Sequence, residues 1–183
     1  MNHIVLTGGT SKRFGSDKSA ALINNKSLLE ILLTQLNDEK VIVVGPETKT
    51  KARYVQENPI SGGPVAAIAA GMELVTEDLV AIFATDMPFA PKILDQLKIS
   101  LINDAALPVD DEGIMQPLAG LYKSDALRNA LKILLPVAGK SMKQLIALLN
   151  VSRVPLNETD WLIDIDTQAD LMRAIELQSR LSQ

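Results

Sequence analysis

Apolar residues fall along this chain in two recurring patterns. Residues 3–6, 41–44 and 79–84 are short apolar runs, and each stops at a turn: Thr7-Gly8-Gly9-Thr10-Ser11, then Gly45-Pro46, then Thr85-Asp86-Met87-Pro88. Runs of this kind predict strands buried on both faces of a parallel sheet. Between them the period changes to that of a helix. Ser27 and Glu30 form a capping-box signature, and Leu28, Leu29, Ile31, Leu32, Leu33 and Leu36 make a wide apolar helical face that ends by Asn37. Ser61-Gly62-Gly63-Pro64 opens an Ala-rich stretch to about Val75, with Pro64 at the first helical position, where its missing N–H removes no bond.

The second half continues the alternation. Residues 92–99 are predicted as helix, 105–109 and 118–122 as strands, and 124–135 as helix. Ser141 and Gln144 form a second capping box before Leu145, Ile146, Leu148 and Leu149. Residues 151–154 predict a further strand. The apolar stretch 161–165 leads into a last helix with Thr167 and Asp170 as capping residues. Strands alternating with helices predict an α/β fold, a single Rossmann-like three-layer domain over residues 1–183 with a mostly parallel sheet and helices on both faces. Ligands of such folds bind beyond the carboxyl ends of the strands, near a topological switch point. Residues 110–116, with Asp110-Asp111-Glu112-Gly113, are the most loop-like interior stretch and are expected to form a lid, a hairpin or a solvated turn.

Composition narrows the chemistry. A chain of 183 residues, 47% hydrophobic but only 3% aromatic, builds its core from Ala, Leu, Ile and Val. Its 18 basic and 22 acidic residues leave a net charge of −4, so no electrostatic footprint for nucleic acid is present. The absence of cysteine excludes disulfides, thiolate metal sites and a Cys nucleophile, and zinc would have only His3 to call on. No apolar run approaches the ~18 residues of a membrane span, and the amino end has no signal-peptide layout, so a cytoplasmic protein with no membrane partner is expected. His3, Trp161 and the methionines have no partners at ligand spacing and are read as packing residues.

The densest chemical signal is Leu6-Thr7-Gly8-Gly9-Thr10-Ser11-Lys12-Arg13-Phe14-Gly15-Ser16-Asp17-Lys18, directly after the first strand. Glycines let the backbone turn tightly and bring N–H groups close to an anion, while Arg13 and Lys18 supply charge for a polyphosphate. Two common loop types fail on spacing. A dinucleotide-binding fingerprint begun at Gly8 needs glycines where Thr10 and Arg13 stand, and a Walker loop needs glycine and lysine where Arg13 and Phe14 stand. Gly139-Lys140-Ser141 fails as well, since a Walker loop requires glycine where Leu134 stands.

The loop resembles the glycine-rich signature of the small nucleotidyltransferases, L-x-G-G-x-S-x-R-x-G-x-D-K, with matches at Leu6, Gly8, Gly9, Ser11, Arg13, Gly15, Asp17 and Lys18. Other landmarks follow in family order. Gly63-Pro64-Val65-Ala66-Ala67 resembles G-P-L-A-G, Thr85-Asp86-Met87-Pro88 resembles the metal-binding D-x-P, and Asp164-Ile165-Asp166-Thr167 resembles the closing (N/D)-(I/V)-(N/D)-T-P. Gln116-Pro117-Leu118-Ala119-Gly120-Leu121-Tyr122 and Gly139-Lys140-Ser141-Met142 are similar to the molybdenum cofactor guanylyltransferase branch. Ala67 stands where a second glycine is frequent, Asp164 and Asp166 where some guanylyltransferases carry asparagine, and Gln168 where proline is usual.

The resemblance implies an enzyme that transfers GMP from GTP to molybdopterin and releases pyrophosphate, with transient docking to molybdenum cofactor proteins. Under it Gly8, Gly9 and Ser11, with Leu6 and Thr7 leading in, hold the triphosphate, Arg13 meets its outer phosphates and Lys18 the charge near the reacting phosphorus. Gly63 and Pro64 touch the nucleotide, Asp86 and Asp166 ligate Mg²⁺, and Arg13, Lys18 and Asp86 are the catalytic set. Lys140 precedes a helix whose amino-end N–H groups favour an anion, which makes it the candidate contact for a phosphate on the acceptor. Phosphoryl chemistry of this kind needs positioning and charge neutralisation more than a protein nucleophile, in keeping with the absence of Cys and of a Ser/His/Asp set. Three alternatives remain open on the residues alone: a cytidylyltransferase for the same pterin, a nucleotidyltransferase for another small phosphate, and a nucleotide-binding regulatory subunit.

Overall fold

The computed structural model describes residues 1–7, 22–36 and 40–181. In chain order the elements are β1 (Asn2–Leu6), β2 (Leu22–Ile23), β3 (Lys26–Ser27), α1 (Leu28–Leu33), β4 (Val41–Val44), β5 (Arg53–Val55), α2 (Pro64–Met72) and β6 (Leu79–Ala84). They continue with α3 (Leu94–Ser100), β7 (Ala105–Val109), β8 (Ala119–Lys123), α4 (Ser124–Ile133), α5 (Met142–Ile146), β9 (Val151–Pro155) and α6 (Gln168–Leu181). Seven strands form one sheet in the order β5-β4-β1-β6-β8-β7-β9, parallel throughout except for β8. β2 and β3 form a separate hairpin.

Both faces of the sheet are covered. On one face His3, Val5, Ala81 and Phe83 meet α1 and α3, with Leu29, Leu32, Leu94 and Leu97 buried in that layer. On the other, Ile4, Leu6, Ile42, Val44 and Ile82 meet α2, α4 and α5 through Val65, Ile68, Leu127, Leu131 and Leu145. Two-sided burial is why β1, β4 and β6 read as unbroken apolar runs rather than alternating ones. A third cluster, Ile23, Leu28, Phe89, Ile165, Ala174 and Leu177, attaches α6 and the small hairpin to this frame. The result is the expected Rossmann-like three-layer arrangement.

The element ends depart from the sequence reading in places with local causes. The first helix stops at Leu33, where Thr34 Oγ1 and Gln35 Nε2 both donate to Ile31 O and compete with the helical ladder. Asn37, where the pattern placed its end, lies outside the described residues. α2 stops at Met72 rather than near Val75, because the Arg128 guanidinium takes the Met72 and Val75 carbonyls. α4 ends at Ile133, short of Leu135, whose position before Pro136 disfavours helix. The stretch 161–165 begins in a 3-10 turn, Thr159–Leu162, and joins no strand among the described residues. Residues 110–116 are the turn of the β7–β8 hairpin. Asp110 Oδ1 accepts from Glu112 N and Ile114 N, Oδ2 accepts from Gln116 Nε2, and Arg153 donates to Gly113 O.

Candidate active site

The parallel register brings four strand ends level. Val55, Val44, Leu6 and Ala84 are consecutive partners across β5, β4, β1 and β6, so Gln56, Gly45, Thr7 and Thr85 emerge together at the carboxyl edge. β1 is the switch point: the chain runs from it to β4 and β5 on one side, then crosses through α2 to β6 on the other. Hydrogen bonds tie the edge together. Thr7 donates to Val44 O through N and Oγ1 at 3.0 Å each, and Thr85 donates to Leu6 O through N at 3.1 Å and Oγ1 at 2.7 Å. Leu6 is therefore a core side chain whose carbonyl is occupied by Thr85. Gly8, Gly9, Ser11, Arg13 and Lys18 lie outside the described residues.

Asp86 leaves the end of β6 in a turn closed by Met87 N on Ala84 O, and its own carbonyl accepts from Ile165 N at 3.0 Å. That bond fastens the stretch before α6 to the strand end. Ile165 is fully buried against Phe89 and α6, and the aspartates on either side of it both reach Asp86. One carboxylate oxygen from each of Asp86, Asp164 and Asp166 lies within 4.8 Å of the other two. Three like charges at that spacing favour a cation among them, and a donor set made wholly of hard carboxylate oxygens suits a divalent ion such as magnesium, manganese or calcium. Capping of α6 falls to Thr167 and Asp170: Asp170 Oδ2 accepts from Thr167 N and Oγ1, and Asp170 N donates to Thr167 Oγ1. The Thr167 side chain, then its backbone, holds the Asp170 carboxyl below its ordinary value.

The pairing of Asp86 with Asp166, eighty positions apart, thus occurs, and the structure adds Asp164. Its signal was its place two residues before Asp166 in the same motif. A second carboxylate that sequence reasoning passed over is Glu57, buried behind the edge, where Oε1 accepts from Ser61 N and Oε2 from Gln56 Nε2. It fixes the turn that leads into α2. Gly63 is the N-cap of that helix with φ +92°, Pro64 opens it, and no side chain among the described residues caps it. Lys140, remote in sequence, is close in space: Gly139 N donates to Gly62 O at 2.8 Å, and Lys140 O stands 4.0 Å from where a Gly63 Cβ would be.

A groove of about 640 Å³ opens at the opposite, amino edge, lined by Asp78, Asp104, Lys123, Asp125 and Leu148 among others. It is remote from the strand ends that carry the acidic cluster. Among the described residues no helix is long and apolar enough to cross a membrane.

Residues 3–153 match the family model of the MobA-like NTP transferase domain. A probable molybdenum cofactor guanylyltransferase of Bacillus cereus strain G9842 is 28% identical over 93% of this chain and 94% of its own. Among solved structures, molybdopterin-guanine dinucleotide biosynthesis protein A of Archaeoglobus fulgidus superposes with a TM-score of 0.79 at 23% identity, covering 98% of this chain and 100% of that one. The 2-C-methyl-D-erythritol 4-phosphate cytidylyltransferase of Thermus thermophilus gives 0.71 at 17% identity, with 98% and 100% covered. These two likenesses concern the fold.

Proposed function

The chain belongs to the MobA-like NTP transferase family and is a nucleotidyltransferase; we propose that it joins the terminal phosphate of molybdopterin to the α-phosphorus of GTP and releases pyrophosphate. The observation that carries this reading is the convergence of Asp86, Asp164 and Asp166 at the carboxyl edge, next to the switch strand after which the glycine-rich loop begins. The curated relative of similar length supports the pterin and the guanine nucleotide as substrates.

In this reading a phosphate oxygen of the pterin forms the new bond to the α-phosphorus while the bond from that phosphorus to the β-bridging oxygen breaks. Gly8, Gly9 and Ser11 hold the triphosphate, Arg13 pairs with its outer phosphates, and Lys18 meets charge that grows on the α-phosphoryl oxygens. Thr7, whose N–H and hydroxyl both donate to Val44 O, leads into the loop without holding phosphate itself. Gly63 and Pro64 place the amino end of α2 against the nucleotide. Lys140 holds the acceptor's phosphate. Asp86 and Asp166, with Asp164 beside them, would hold Mg²⁺, which would supply positive charge to offset that of the phosphates.

The test is a panel of GTP, CTP, ATP and UTP, each with molybdopterin and magnesium, read as pyrophosphate release and product mass. GTP alone should yield the dinucleotide. A CTP product would move the protein to the cytidylyl alternative, and release of pyrophosphate only with a different phosphorylated acceptor would overturn the pterin assignment. Lys18→Ala should lower turnover by about a hundredfold or more while leaving the unfolding midpoint within ~2 °C, the pattern of a group that acts on charge in the transition state rather than on folding.

A further inference from the structure

Two turns meet at the carboxyl edge, and one hydrogen bond joins them. The first is Ser61-Gly62-Gly63 before α2; the second is the exposed loop from Leu134 to Lys140 between α4 and α5. Among the described residues, Gly139 N to Gly62 O, at 2.8 Å, is the one hydrogen bond this loop makes beyond its own neighbourhood. Leu134, Leu135 and Lys140 donate to Ala130, Leu131, Lys132 and Val137 close by.

The two ends of that bond differ mechanically. Gly62 is closely packed against the first turn of α2, since a Cβ there would lie 2.9 Å from Ala66 Cβ and from Pro59 O. Gly139 stands in open space, with nothing within 4 Å of where its Cβ would be, but with φ +74° it occupies the left-handed region. Its glycine requirement is conformational rather than steric. Immediately after it, Lys140 leads into α5, whose amino end is closed by the Ser141–Gln144 capping box, and Leu145 of α5 packs in the same apolar layer as Val65 and Ile68 of α2.

We infer that Gly139 is a positioning residue whose hydrogen bond to Gly62 couples the nucleotide side of the crevice, at the amino end of α2, to the acceptor side, at Lys140. The inference rests on the assignment of Gly63-Pro64 and Lys140 made above. When nucleotide settles α2, the Gly62 carbonyl is settled with it, and Lys140 is set for the acceptor; by linkage the acceptor does the same for the nucleotide.

The experiment titrates the full chain with α,β-methylene GTP, which cannot be cleaved at the α-phosphorus, in the presence and absence of molybdopterin, and the reverse, with magnesium present throughout. The unmodified protein should show each ligand tightening the other by about fivefold or more, by the same factor in both directions. Gly139→Val, whose β-branched side chain resists positive φ, should bring that factor to within twofold of one. Gly139→Asn, which tolerates the left-handed region, should keep most of it. Exchange of the Gly139 amide should slow when either ligand binds alone, a readout that holds even if the Val variant folds poorly. No coupling in the unmodified protein, or full coupling in a folded Gly139→Val variant, overturns the inference. Lys140→Ala separates the two claims: unchanged molybdopterin affinity in that variant removes Lys140 from the acceptor site, whereas the coupling factor and its loss in Gly139→Val stand or fall by themselves.

Discussion

Asp164 turns a pair of carboxylates into a triad, and the three positions differ in exposure: Asp164 is exposed, while Asp86 and Asp166 are half-buried. The half-buried pair should dominate metal binding, because a carboxylate fixed by its surroundings loses less freedom on ligation. Asp86→Ala and Asp166→Ala should each lower transfer by about a hundredfold or more. Asp166→Asn, which keeps an oxygen ligand, should recover part of the rate at raised magnesium, and Asp164→Ala should chiefly raise the magnesium required. Rate against magnesium concentration for the four variants decides this. An Asp166→Ala enzyme with the rate and magnesium dependence of the unmodified protein would reduce Asp166 to a structural role. A different single residue contributes to the pH response of stability between about pH 4 and 6.5. His3 is buried on β1, its Nδ1 lacks a partner among the described residues, and its ring stacks near Phe83 with centroids 6.4 Å apart. Burial, then the Met1 amine, Lys98 and Lys40, lower its pKa from 6.5 to about 4. Between those values the unfolded chain binds the proton more readily than the folded one. Stability is therefore fully present above pH 6.5 and falls as pH drops toward 4, by up to about 3 kcal/mol. Urea unfolding at pH 7.5 and pH 5 should show the loss, and His3→Leu should remove most of it.

At the scale of elements, the segment from Gln116 to Tyr122, which resembles one branch of the family, acts in this structure through packing. Tyr122 is fully buried with its hydroxyl donating to Pro117 O at 2.6 Å, and Leu118 O accepts from Ala84 N at 2.9 Å, so β8 holds β6 in place just before Asp86. Gly120 makes room for this: a Cβ there would lie 2.4 Å from Leu107 Cδ2 and 3.0 Å from the Tyr122 ring. Gly120→Ala should lower stability by about 1–3 kcal/mol by overpacking, and Leu107→Ala in the same chain should return part of that loss, a coupling that a double-mutant cycle in urea measures. The shortest elements carry the weakest local signals. Among the described residues Arg53–Val55 pairs only with β4, at the sheet edge, and is too short and polar to resemble the buried strands. The β2–β3 hairpin turns on Asn24 and Asn25, both at positive φ, a local signal without flanking alternation to announce it.

For the whole molecule, the site proposed above draws on segments that span most of the chain: Gly63, Asp86, Lys140 and the 164–166 stretch, around the switch point at β1. A ligand that bridges them should stabilise all of them together. At a hundredfold excess over Kd, GTP with magnesium should add about 2.7 kcal/mol to the free energy of unfolding, which for a chain of this size raises the melting temperature by roughly 5–10 °C. Thermal scans of the unmodified protein and of Asp86→Ala provide the check. An equal rise in both would show that nucleotide binds without the acidic cluster.

Much of this was legible in the residues. The buried runs of β1, β4 and β6, the capping boxes at Ser27 and Ser141, the Thr167–Asp170 cap and the parallel alternation follow from local periodicity and side-chain chemistry, which act over a few neighbouring positions. The motif order also pointed to Asp86 and Asp166 as partners. Tertiary structure decided what depends on distant neighbours. It brought Asp164 into the cluster through the bond from Ile165 N to Asp86 O, and it placed Lys140 against the Gly62-Gly63 turn. It also ended α2 at Met72 by means of Arg128. Each of these contacts joins residues more than fifty positions apart, and no periodicity in one segment encodes where another segment's carbonyl will lie.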